Sequence, residues 1–355
     1  MNYSSGRNHG CRIIEYVHRG LKILVMENDL LKISVLLDKG ADIVELLYKP
    51  LDTDFMWKSP WGIREFSKHI PSCSSSLGNF LDFYAGGWQE ILPGGGPCSY
   101  YGAELGLHGE SSLIPWDYYV QEDSADCISV LFNCSLIRTP FSIKKTITLN
   151  KGSTVIDIKE LLINESNENI DFMWGHHPAI GEPFLSKDCR IDIPAKRFTA
   201  SGLSYSPTSK FNSGTQGRWP QEKGINGEMI DLSVIPSGEV PTADLFFLEG
   251  LEDGWYAITN TKMKLGIGFC WDVSVFPYVW YWQVCRGLPG YPWYGRTYNI
   301  ALEPWTSIPD NFEKAKQNST AKIIKANDTI QTSLKVVIYE GLDRVKSISR
   351  EGEVV

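Results

Sequence analysis

Short apolar runs that are repeatedly cut by Gly, Asn and Asp restrict this chain more than any other feature. LKILVMEN (21–28) meets Asp29 and is followed by LLKISVLL (30–37), the turn DKGAD and IVELLY (43–48). CISVLFNCSLI (127–137) and FSIKKTITL (141–149) lead through the turn NKGS into TVIDIKELLI (154–163). GWYAITN (254–260) and LGIGFCW (265–271) flank a polar NTKMK connection, and TIQTSLKVVIYEG (329–341) lies near the end. Strands at this spacing, broken by turn residues, predict an all-β protein of antiparallel sheets. KKTITL and TVIDIK alternate in the manner of half-buried strands. Only PDNFEKAKQ (309–317) reads as a helix, with Asp310 as its N-cap. Residues 201–240 are rich in Gly, Ser and Pro and read as long surface loops of the kind that carry function. No linker, charge block or repeat divides residues 1–355, which read as one large domain with residues 1–20 as a peripheral N-terminal segment.

Composition narrows the function by exclusion. The net charge is −8 with no basic run, which argues against nucleic-acid and anionic-membrane partners. No stretch is long and apolar enough for a transmembrane helix, and the polar N-terminus lacks an apolar signal region. The eight cysteines are scattered without a CxxC pair, so reduced thiols in a cytoplasmic protein are expected. The 12 Trp, 16 Tyr and 15 Phe suit pleated sheets and can also stack on sugar faces.

Four segments can carry chemistry. GGWQEILPGGG (86–96) offers Trp88 as a platform with the Gln89 amide beside it, a way to hold a polyol, and its glycines match no phosphate-cradling pattern. In GLHGE (106–110), His108 and Glu110 would share a face if the segment is a strand. In GHHPAIG (175–181), adjacent strand residues point to opposite faces, so His176 and His177 do different work, and Pro178 is expected to end the ladder pairing. In NIALEPWTS (299–307), an apolar run delivers Glu303 to a Pro turn; a carboxylate there must be paired or solvated.

Taken in order, GGWQEILPGGG, LHGE, GHHPAIG and ALEPW resemble the aldose 1-epimerase (galactose mutarotase-like) family over nearly the whole chain. The resemblance implies a single β-supersandwich with few short helices that binds an aldose in a cleft. It implies His177 as general acid, Glu303 as general base and His108 as the upstream histidine that helps to hold the sugar. Trp88, Gln89, Glu110 and His176 join them as substrate-binding candidates. Asp272 and Arg64 stand in for the family's sugar-binding Asp and Arg, and Gln283 is a further candidate. The chain departs from the better-known galactose enzymes at His176, where they have Asn, and at Ala179-Ile180, where they have an aromatic pair.

The chemistry suits these residue types on its own terms. Interconverting anomers opens the hemiacetal ring and closes it on the other face. A base takes the C1 hydroxyl proton while an acid protonates the ring oxygen. An ionised Glu only accepts, and an unperturbed His titrates near ~6.5. No metal, cofactor or covalent intermediate is called for, and the expected partner is a small-molecule aldose bound by a monomer or homodimer. Three rivals compete. A cupin-like metal site would want H-x-H, which the chain lacks. A glycoside hydrolase would pair Glu110 or Glu90 with Glu303. A non-catalytic sugar-binding or sugar-sensing protein would keep the aromatic cleft without needing an acid–base pair.

Overall fold

The computed structural model describes residues 3–66 and 76–355. The segments read as strands form strands. FSIKKTITL becomes Phe141–Asn150, and it pairs antiparallel with Val155–Asn164 across the NKGS turn, where Gly152 takes a φ of 68° that a side chain would oppose. Along Cys127–Ser135 burial alternates residue by residue, because one face meets the core and the other meets water.

Two antiparallel sheets dominate. The larger has twelve strands. Its middle runs Trp88–Ile91, Gly175–Gly181, Tyr298–Trp305, Tyr278–Cys285, Thr242–Glu249. The second has eight strands, with Leu265–Trp271, Thr329–Glu340, Val155–Asn164 and Phe141–Asn150 at its centre. One hydrophobic cluster extends from Cys11 to Ile338 and draws on both sheets. This is the all-β architecture of large antiparallel sheets with few short helices expected from the sequence. The N-terminal Arg12–His18 is an edge strand of the larger sheet, and Cys11 before it is buried.

Helices are few among the described residues: Gly78–Leu81 and Phe312–Gln317. The latter falls in the segment read as helical, but its N-cap is Asn311, whose side chain accepts from the Lys314 N–H, and not Asp310. Asp310 is spoken for by its neighbours: its carbonyl accepts from the Gly96 N–H, and the residue borders the cavity described below. The 201–240 segment is largely loop, with three-residue strands at Gln216–Arg218, Gln221–Lys223 and Met229–Asp231.

Pro178 does not end its strand. It sits inside Gly175–Gly181, in register with Trp88 on one side. On the other side, ladder pairing runs from Gly175↔Trp305 to Ala179↔Ala301 and is open between them. Pro178 and Pro304 both lie in that gap, each unable to donate a backbone hydrogen bond. Pairing on the first side and at both ends of the gap keeps the strand continuous. Gly175 closes one end for a steric reason: a Cβ there would lie 2.2 Å from the Trp305 ring. That ring stacks on Trp280 with centroids 3.8 Å apart.

Candidate functional site

The gap between the two prolines sets the site. Counting inward from Gly175↔Trp305 and Ala179↔Ala301, His177 and Glu303 are directly opposite. Residues opposite each other in an antiparallel pair share a face. Their side chains meet, with His177 Nε2 3.5 Å from Glu303 Oε1. Two residues 126 positions apart in the chain are thus cross-strand neighbours in the middle of the larger sheet.

His108 approaches from a loop. The turn is closed by the Gly109 N–H donating to the Gly106 carbonyl, and His108 itself adopts a φ of 63°. That left-handed conformation is one that His, like Asn and Asp, adopts more readily than most residues with a side chain. Its ring lies 5.4 Å from the His177 ring, edge-to-face against Phe80. Its Nδ1 is buried and has no hydrogen-bond partner among the described residues.

Together His108, His177 and Glu303 line one cavity of about 370 Å³. Aromatic rings form much of its wall, among them Tyr84, Tyr205, Trp280, Trp282 and Trp293. Few polar groups converge in a mostly apolar space, the usual composition of a small-molecule site. Burial pushes the His177 imidazole down to about 4 and His108 well below its ordinary value, with His177 and Lys39 adding to the latter. Burial likewise pushes the Glu303 carboxyl well up, opposed by the Trp305 Nε1–H that donates to Oε2 at 3.0 Å. Burial thus favours the neutral form of each group, with the pair's proton on Glu303.

Other residues singled out from the sequence lie elsewhere. Trp88 is not a platform in this cavity. Strand alternation puts it and Glu90 on the opposite face from Gln89, where its Nε1–H donates to His176 Nδ1 at 3.2 Å. His176 shares that face and hydrogen-bonds Glu160 through Nε2 at 3.1 Å, so Nε2 carries the proton. The two adjacent histidines do different work, as their alternation requires, and His176 does not reach the cavity. Gln89 is on the His177 face but lies behind the cavity wall, its amide donating to the Gly86 carbonyl. Glu110 does not accompany His108, because the segment is a turn and not a strand. Its carboxylate instead accepts from the Ile137 and Arg138 N–H groups and from Thr139 Oγ1.

Asp272 follows a strand of the eight-stranded sheet and pairs with Arg350 at 3.4 Å, away from the cavity. Gln283 alternates with Trp282 and so faces the other side of the sheet, where it borders a separate cavity of about 230 Å³ beside Asp244. Arg64 stands one layer outside: it stacks over Trp61 at 4.8 Å and donates to the Asp82 carbonyl, while Trp61 stacks on the wall residue Trp293. Sequence reasoning missed Tyr84, Tyr205, Trp280, Trp282, Trp293 and Asp310. Of these only the alternating Trp280 and Trp282 in VWYWQV carried a legible signal, since residues two apart in a strand share a face.

Behind the site a charged cluster joins the two sheets. Glu90 from the larger sheet meets Lys145 from the smaller at 3.0 Å, and the Trp174 Nε1–H donates to Glu90. Lys145 stands opposite Glu160 on paired strands, and all three charged groups are buried. One lysine thus faces two carboxyls. Burial raises Glu90, with Glu160 adding to it, and pushes Glu160 up to about 7. An unfolded Glu titrates near ~4.3. Between these values the folded chain holds a proton that the unfolded chain has released, so this stabilisation is present at low pH and lost as pH rises toward 7. Glu160→Gln removes that group. Wild type should therefore lose on the order of 2 kcal/mol relative to the variant between pH 5 and pH 8. Denaturant melts at both pH values check this; a difference that is constant with pH would refute it.

Among the described residues no group of three His, Cys, Asp or Glu side chains is arranged to hold a metal ion. No helix there is long and apolar enough to cross a membrane. Seven cysteines are described and all are free; Cys73 lies outside the described residues.

The family model described as Domain of unknown function (DUF4432) matches residues 18–338. No curated protein sequence matches the chain. Solved structures do resemble it. A candidate aldose 1-epimerase from Klebsiella pneumoniae superposes with a TM-score of 0.73 at 16% identity, covering 95% of this chain and 87% of that one. A galactose mutarotase-like protein from Clostridium acetobutylicum gives 0.62 at 16% identity, covering 93% and 98%. A galactose mutarotase related enzyme from Lactobacillus acidophilus gives 0.60 at 16% identity, covering 92% and 100%. At such identities the likeness is one of fold.

Proposed function

We propose that this chain, which belongs to the family described as Domain of unknown function (DUF4432), interconverts the α and β anomers of an aldose by acid–base ring opening at His177 and Glu303. The observation that carries the reading is the cross-strand pair itself: an imidazole and a carboxyl 3.5 Å apart at the wall of an aromatic cavity, beside a second histidine. The fold that this chain shares with mutarotase-like proteins supports the same reading.

In this mechanism the pair carries one proton. Its transfer from Glu303 to His177 Nε2 gives a carboxylate and an imidazolium, a state that the hydroxyls of a bound sugar stabilise by hydrogen bonding to both. Glu303 then takes the proton from the C1 hydroxyl as the bond between C1 and the ring oxygen breaks. His177 delivers its proton to the ring oxygen. The open-chain aldehyde turns about C1–C2, and both transfers reverse on the other face. His108 lines the cavity beside the pair and can contact the sugar there, and the indole faces of the wall suit the apolar face of a pyranose or furanose. A cytoplasmic setting, with no cofactor, completes the proposal.

Polarimetry on freshly dissolved α-D-glucose, α-D-galactose and a small panel of other aldoses tests it. Because mutarotation is spontaneous, the rate with protein is compared with that of buffer. At least one aldose should equilibrate faster. A sugar that binds yet never exceeds the buffer rate would favour the second reading, a sugar-binding protein, which the same aromatic cavity would serve.

A further inference from the structure

Among the described wall residues, Tyr84 is the one whose side chain brings a polar atom to His177 Nδ1, on the side remote from Glu303. It follows the short Gly78–Leu81 helix, is 1% exposed, and puts its hydroxyl 3.3 Å from His177 Nδ1. The ring stands edge-on to the imidazole, with centroids 5.6 Å apart and planes at 88°. Phe80, Trp57 and Trp293 pack around it at 4.9, 5.5 and 6.1 Å. Glu303, His177 and Tyr84 therefore form a line in which each imidazole nitrogen has its own partner: Nε2 the carboxyl, Nδ1 the phenol.

We propose that Tyr84 is a positioning residue that selects the tautomer of His177, its oxygen accepting from Nδ1–H so that Nε2 is the nitrogen that exchanges protons. This rests on the acid role proposed for His177. Ring opening and closing ask one nitrogen to give a proton and then take it back. A neutral imidazole can take a proton at Nε2 only while Nδ1 keeps its own, and Nδ1–H then needs an acceptor. A phenol supplies one without bringing charge, and burial raises the Tyr84 hydroxyl well above its ordinary value, so it remains a phenol. Among the described side chains around His177 none duplicates this, and its own backbone carbonyl is a second acceptor that assists Tyr84. Glu303 is on the Nε2 side. His108 meets the ring at 5.4 Å, and Gln89 is its opposite neighbour on the Trp88–Ile91 strand, with Asp42 and Lys39 behind. Tyr205 and Asp310 border the same cavity; the Tyr205 oxygen is occupied by the Trp282 Nε1–H. The His177 backbone carbonyl also favours a protonated ring.

The test is ¹⁵N NMR of histidine-labelled protein, which reads tautomer and titration of His177 directly, with kinetics alongside. Tyr84→Phe keeps the ring and deletes the hydroxyl. The His177 signals should move from the Nδ1–H toward the Nε2–H pattern, and its titration should shift to lower pH, because the imidazolium loses an acceptor. The rate of anomer interconversion should fall about 10-fold in kcat, with KM little changed, and the acid limb of the pH profile should follow the NMR shift. Trp57→Phe, which loosens the same aromatic cluster without touching the hydroxyl, should leave the tautomer as in wild type. Should Tyr84→Phe fail to fold, 3-fluorotyrosine in its place gives a poorer acceptor, and the tautomer should still shift toward Nε2–H. An unchanged His177 tautomer and titration in either protein overturns the proposal. If the tautomer responds as described but no aldose is accelerated by wild type, the acid–base function is wrong while the role of Tyr84 stands.

Discussion

Glu303→Gln should slow anomer interconversion by about 10²–10⁴-fold, the usual worth of one positioned acid–base group. The substitution preserves shape. Its amide oxygen can still accept from the Trp305 Nε1–H, which now donates to Glu303 at 3.0 Å, and it still faces His177 across the open stretch of ladder. What it loses is the ability to take or give the proton that the pair shares. Sugar affinity should therefore change less than tenfold while the rate collapses, a split that marks an interaction made in the transition state. Polarimetry and NMR exchange, run with isothermal binding on the same aldose, separate the two quantities. A variant that binds and interconverts like wild type would remove Glu303 from the mechanism. A variant that neither binds nor folds would be recognised by its melting curve.

The second large effect concerns stability. Lys145→Met keeps the aliphatic stem, which packs where the ammonium now lies 4.7 Å from the centre of the Trp116 ring, and removes the lysine charge that faces Glu90 and Glu160. A buried carboxylate left without its counter-charge costs about 3–5 kcal/mol. The loss should be largest at pH 8. It should shrink near pH 5, where the raised carboxyls, Glu160 at about 7, take up protons and no longer need the lysine. Equilibrium urea unfolding at the two pH values measures it. A loss that is below about 1 kcal/mol at both, as for an ordinary exposed pair, would mean that the cluster is hydrated and not a buried ion pair.

The fold was legible because antiparallel strands announce themselves locally: turn residues and period-two alternation placed Phe141–Asn150, Val155–Asn164 and their neighbours within a residue or two. The site was legible in part. His177 and Glu303 stand in motifs with distinctive neighbours, Pro178 and Pro304, and the same neighbours open the seam in which they meet. Alternation also separated His176 from His177. Reading motifs as units misled elsewhere. Trp88 and Gln89 are adjacent and so face opposite sides, and Glu110 belongs to a turn whose left-handed residues break any two-residue period. Tyr84 and Tyr205 come from irregular segments with no periodicity to aim them, and Trp293 from the turn after Gly290. Nothing local in the sequence says that such residues return to one cavity, because tertiary packing decides it.

The open seam separates what this architecture can alter from what it must keep. His177 and Glu303 are inherited from the middle of a twelve-strand sheet, where a one-residue slip would turn both away from the cavity together. The groups that would feel the rest of a sugar, His108, Tyr205, Trp293 and Asp310, come from connections between strands. Insertions and substitutions in those connections can remodel the rim without moving the proton-transfer geometry. Under the proposed function, selection on such a chain can therefore explore new sugars at low risk to the proposed chemistry, and relatives that share the pair are expected to diverge first in their loops.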